Sequence, residues 1–185
     1  MATHQTETGQ LTESRVKSKL ESFGLIVWKP VPDVGIDLEA FHPSNPGKII
    51  KIQVKGRNPK TITSYRWFQI RVPKLEILRS KQEGILAEDT WQEKVKMVDF
   101  YILDAVHFDE MWVLSQEQTF ELIKLNEYQY GTRPDNVFVY SENMKQKQKE
   151  MNLEAKVPGV PIIERFASCK NNFNPILDFL GVRSD

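Results

Sequence analysis

The chain has 185 residues, 40% hydrophobic and 27% charged, the proportions of a soluble globular protein large enough for one well-buried core. Lysine plus arginine number 25 and aspartate plus glutamate 25, so a uniformly basic coat is excluded and any polyanionic partner requires cations gathered on one face. Cys169 is the single cysteine, which excludes an internal disulfide framework and a thiolate-rich metal site and fits a reduced compartment.

Residues 1–10 are polar, without the basic-then-apolar order of a secretory signal. No run approaches the roughly 18 apolar residues of a membrane span, so a cytoplasmic location is expected. LTESRVKSKLESF (11–23) predicts an amphipathic helix, with Val16, Leu20 and Phe23 at helical spacing and Gly24 as C-cap. LIVW (25–28) is a strand candidate stopped by the turn-forming KPVPDVG. GIDLEAF (35–41) alternates as a second strand, HPSNPG (42–47) is a dense turn signal, and KIIKIQVKG (48–56) is a third strand. YRWFQIRV (65–72) predicts a fourth strand, and a helix begins behind Pro73 over 74–79. The segment 81–96 is charged and assigned to no element.

VDFYILDAV (98–106) is the most strand-like run, expected to be buried on both faces. A turn at 108–110 leads to a strand at MWVL (111–114), then a helix over 115–125 with Ser115 as N-cap. Residues 129–137 read as a loop. The lysine-rich stretch 141–156 reads as an exposed helix or an arm ordered on binding, 157–163 as extended, and 174–182 as a final short helix. The expected fold class is α/β: a central mixed β-sheet in the order helix, three-strand meander, helix, strand, flanked by helices. All of 1–185 is read as one domain, with a core over about 11–126 and a C-terminal appendage over about 140–185.

The chemistry turns on IKIQVKG. Side chains on a strand alternate, so Lys51, Gln53 and Lys55 share one face, opposite Ile50, Ile52 and Val54. In GIDLEAF, Ile36 and Leu38 read as the buried pair, leaving Asp37 and Glu39 on the other face. A meander then lays Asp37 against Gln53 and Lys55 across neighbouring strands. Asp33, in the Pro32-Asp33 pair, falls in the preceding turn. Glu13 lies on or beside the core-facing stripe of the first helix.

This set suits phosphodiester hydrolysis. A hard divalent cation polarises the phosphate and acidifies water, and Mg²⁺ accepts one or two carboxylates while keeping several waters. Asp37, the amide oxygen of Gln53 and the backbone carbonyl of Val54 can supply the protein's ligands. Lys55 can position the water or neutralise charge developing on phosphorus. Gln53 carries no charge, so a further carboxylate is expected from Glu13 or Glu39.

Taken singly, each piece has an ordinary explanation. Glu13 suits a first helical turn or a pair with Lys17, and Asp37, Glu39, Lys51 and Lys55 suit the solvated face of a strand. Their combination in one frame is more specific. It resembles the PD-(D/E)XK nuclease superfamily, which includes restriction endonucleases and junction resolvases. The resemblance rests on Glu13 in TESRV, Asp37 in GIDLEA and Gln53-Val54-Lys55 in IQVKGR, with 11–57 following the family's helix–three-strand opening. Gln53 stands where the family carries an acid, similar to the Q-x-K form of some Mrr-type restriction nucleases and certain intron-encoded endonucleases.

The resemblance implies a restriction-endonuclease-like core and a Mg²⁺-dependent endonuclease acting on double-stranded DNA, with Mn²⁺ substituting. It implies Asp37, Gln53, Lys55 and Glu13 as catalytic residues. A restriction-type enzyme of this size is expected as a homodimer or as the catalytic small subunit beside a larger recognition subunit. Alternatives are a structure-selective nuclease such as a Holliday-junction resolvase, and a catalytically silent DNA-binding or assembly module. Arg57, Lys60, Arg66 and Arg71 are candidate phosphate contacts, against the plainer readings of a solvated loop and an amphipathic strand.

Overall fold

The computed structural model describes residues 4–31, 35–57, 66–70, 95–130, 136–139 and 162–182. Its main sheet contains β1 (Ile26–Trp28), β2 (Leu38–Phe41), β3 (Ile50–Arg57), β5 (Phe100–Ala105) and β6 (Glu110–Ser115), in the order β1-β2-β3-β5-β6. β1, β2 and β3 form an antiparallel meander, β5 runs parallel to β3, and β6 turns back antiparallel to β5. This is a mixed sheet, whose antiparallel meander alternation and turn chemistry predict.

Helix α1 (His4–Glu21) starts earlier than expected and crosses one face. Thr12, Val16 and Leu20, spaced four apart, form its buried stripe. Gly24, at φ +79°, closes its end in the left-handed region, and its N–H is bonded to the carbonyl of Glu21 at 2.9 Å. Val16 and Leu20 meet Ile50, Ile52, Val54, Phe100 and Ile102, joined by Ile176, Leu177 and Leu180 of α4 (Asn174–Leu180). The opposite face gathers Tyr101, Leu103, Trp112 and Leu114 with Leu122 and Ile123 of α2 (Gln116–Tyr130). All six β5 residues are buried, because both faces of the sheet are covered.

A capping box starts α2: the N–H of Gln118 donates to Ser115 Oγ at 3.2 Å, and Ser115 N–H donates to Gln118 Oε1 at 2.9 Å. A second, two-stranded sheet pairs β4 (Arg66–Gln69) with β7 (Asn136–Val139).

Several expectations are corrected. Of residues 129–137, read as a loop, 129–130 end α2 and 136–137 open β7, while 131–135 lie outside the described residues. Residues 162–163, read as extended, open the short helix α3 (Ile162–Arg165). The described part of the expected appendage is integral to the core: Phe166 and Cys169 lie in one apolar cluster and Phe173, Ile176, Leu177 and Leu180 in the other. Its apolar spacing was too short to signal which surface it would cover. Ile36 and Leu38 are both buried, but in opposite clusters, because Ile36 precedes β2 and strand alternation does not extend to it. The segments 74–79 and 141–156 lie outside the described residues.

Candidate functional site

The site forms where β2 begins against the middle of β3. Leu38, the first residue of β2, pairs with Ile52, so the preceding Asp37 arrives beside Gln53 and Val54. The Asp37 N–H donates to the Ile52 carbonyl at 3.0 Å, which extends the ladder by one bond and orients the side chain along β3. Asp37 Oδ2 accepts from the Val54 N–H at 2.7 Å and from the Gln53 side-chain amide. Val54 therefore turns its main-chain polar groups toward Asp37, since the N–H and C=O of one strand residue point the same way across the ladder.

Burial holds the Asp37 carboxyl above its usual range. The positive charge of Lys55 and the Val54 hydrogen bond oppose that rise, and the negative charge of Glu13 adds to it. Gln53 and Lys55 from β3 and Glu13 from α1 thus each act on Asp37. Gln53 is only 5% exposed, so its face of the strand is covered as well. Lys55 is half-buried, and Glu39 stands across from Lys51, a strand step from Gln53.

Two contacts set the height and rotation of α1, and hence of Glu13. An added Cβ on Gly56 would overlap Thr12, whose Cβ lies 2.5 Å from that point, so the helix rests directly on the β3 backbone. Thr12 is locked by hydroxyl donation to the carbonyls of Thr8 and Gly9, both at 3.0 Å. On the other side of Glu13 in sequence, Arg15 Nε donates to Asp104 Oδ2 at 3.0 Å, and a second guanidinium nitrogen donates to Asp109 at 2.7 Å. The Asp104 side chain is fully buried, and burial raises its pKa while Arg15 opposes the rise.

Sequence reasoning also missed Tyr101, which pairs with Gln53 in the parallel register and is 1% exposed. Burial, reinforced by the charge of Asp37, pushes its phenol above the ordinary range and keeps it neutral. The parallel register that places it there carries no local sequence signal.

Among the proposed phosphate contacts, Arg57 ends β3 beyond Lys55 and is half-buried, with its pKa lowered by desolvation. Arg66 opens β4. Lys60 and Arg71, like Asp33, lie outside the described residues.

Carboxylate, amide and main-chain carbonyl oxygens are the donor types a hard divalent cation takes, and Asp37, Glu13, Gln53 and Val54 could supply them. Two carboxylates repel across a partly buried site, and a cation between them would relieve both the repulsion and the desolvation of Asp37. Among the described residues no group of three or more His, Cys, Asp or Glu side chains is placed to hold a metal ion. Gln53 turns its amide NH₂ toward Asp37, so joining Asp37 as a ligand through oxygen requires the amide to turn over.

No family model matches the chain, and comparison with curated proteins finds no match. Among solved structures it is similar to one described as the structure of a bacterial homing endonuclease, I-Ssp6803I. The TM-score is 0.54 at 13% identity, over 96% of this chain and 94% of that one. At that identity the two share a fold, over nearly their whole lengths. Among the described residues no helix is long and apolar enough to cross a membrane.

Proposed function

We propose that the chain is a divalent-metal-dependent endonuclease that hydrolyses phosphodiester bonds of double-stranded DNA, of restriction type. The observation that carries this reading is the convergence of Gln53, Lys55 and Glu13 on Asp37, where β2 begins against β3. The shared fold with an endonuclease supports it. Mg²⁺, or Mn²⁺ in its place, would be held by Asp37, Glu13, the amide oxygen of Gln53 and the Val54 carbonyl, supplying Lewis-acid activation of phosphate and water.

Asp37 fixes the position of that charge, because Val54 and Gln53 hold its carboxylate. Lys55, on the Gln53 side of the strand, orients the attacking water and neutralises charge developing on phosphorus. Arg57 and Arg66, with Lys60 and Arg71, would hold the backbone in register without reading bases. Two strands are cut by a homodimer, or by this chain acting as the catalytic small subunit of a heterodimer.

The test incubates purified protein with plasmid and Mg²⁺ beside Asp37→Ala and Lys55→Ala. Discrete fragments that disappear in both variants support a restriction-type nuclease. Selective cutting of branched DNA points to the junction-resolving alternative, and metal-independent DNA binding without cutting to a silent module. No cleavage by the wild type, alone or with a partner subunit, overturns the enzyme. The neighbour's description favours a second reading, an endonuclease of homing type. That enzyme would leave most plasmids intact and cut only one carrying a long, rare target.

A further inference from the structure

Glu13 reaches the site already holding a cation. Lys29, the residue after β1, places its ammonium 2.8 Å from Glu13 Oε2. The Lys29 side chain is 53% exposed and that of Glu13 is 22% exposed, so the pair is open to solvent. With Gln53 neutral, Asp37 and Glu13 are balanced by Lys55 and Lys29, two negative charges against two positive. A divalent cation added to that set would leave it with two excess positive charges. One of the two Glu13 carboxylate oxygens, Oε2, is already engaged by Lys29.

We infer that Lys29 is a positioning residue that occupies Glu13 in the metal-free site and is exchanged for the divalent cation when the site loads. This rests on the metal-dependent reading above. Exposed ion pairs of this kind are weak, so the exchange is reversible and its effect on metal affinity modest. Lys29 keeps Glu13 directed at the site without Mg²⁺ and prevents two carboxylates from facing each other uncompensated.

Mn²⁺ binding to the full chain, followed by calorimetry without DNA, tests this independently of cleavage. Lys29→Met is expected to tighten Mn²⁺ binding about two- to fivefold, with an unchanged Tm in the absence of metal. Lys29→Arg, which keeps the cation, should retain the wild-type affinity. In a Glu13→Gln background, Lys29→Met should have no further effect, because no carboxylate remains to be contested. An unchanged or weaker affinity in Lys29→Met overturns the inference. So does an equal tightening in the Glu13→Gln background, which would mark Lys29 as a remote charge. Wild-type protein that binds no Mn²⁺ removes the metal-dependent reading with it, whereas wild-type binding beside an unaltered Lys29→Met removes this inference alone.

Discussion

Gly56→Ala probes how the fold positions the site. Alanine is ordinarily better than glycine inside a strand by roughly 0.5–1 kcal/mol, and Gly56 does not have a positive φ, so backbone conformation alone predicts a gain. Packing reverses the sign. The new methyl would sit 2.5 Å from Thr12 Cβ and closer still to Thr12 Oγ1 and Cγ2. Rotating the Thr12 side chain cannot relieve the Cβ overlap and would break its bonds to Thr8 and Gly9. The helix must therefore move outward. Overpacking of this kind costs about 1–3 kcal/mol, or roughly 4–8 °C in Tm for about 2 kcal/mol at this chain length. Glu13 follows Thr12 on the same turn, and an ångström of misplacement can cost on the order of 10²-fold in rate. Thermal unfolding by circular dichroism and Mn²⁺ calorimetry read the two effects. Thr12→Ala added to Gly56→Ala removes two of the three overlapping atoms and should recover part of both. A Gly56→Ala protein as stable and as tight for Mn²⁺ as wild type would refute the close approach of α1.

Asp37→Asn should abolish Mn²⁺ binding yet stabilise the metal-free fold at neutral pH. The raised pKa of Asp37 means that its contribution to stability is fully present below its unfolded value and is lost as pH rises through the folded value. Asparagine remains neutral, so its advantage in urea unfolding should shrink as pH falls toward the ordinary carboxylate range; a constant difference would contradict this. Arg15→Ala leaves the Asp104 carboxylate fully buried without its cation and should cost about 3 kcal/mol, partly recovered by Asp104→Asn in the same chain, as read by urea titration. Gln53→Glu places an acid beside Asp37 but removes the amide donor to it. The metal-free protein should lose about 2 kcal/mol, and Mn²⁺ should raise its Tm further than it raises that of wild type.

What could be read from the sequence follows from the range of each constraint. Alternation along 50–55 is local, so one strand sufficed to place Gln53 and Lys55 together and opposite Ile52 and Val54. Asp37 met them because a tight antiparallel meander leaves little freedom in register. The parity argument failed one residue earlier, at Ile36, where the strand had not begun. Contacts between distant segments were invisible. Arg15 finds Asp104 across 89 positions, and β4 finds β7 across a gap with no turn signal to join them. Tyr101 was hidden for a different reason: β5 is buried on both faces, so its mostly apolar run lacks the alternation that would mark its phase until it is paired with β3. The departure at Gln53 gains a physical sense from the same geometry. An acid there would face Asp37 and Glu13 in a nearly closed position, three like charges with Lys55 and Lys29 as cations. The amide instead donates to Asp37 and leaves the metal-free site balanced. Gln53 thereby lowers the repulsion between carboxylates at this point, so on the metal-dependent reading proposed above the neutral amide trades metal affinity for a more stable empty site.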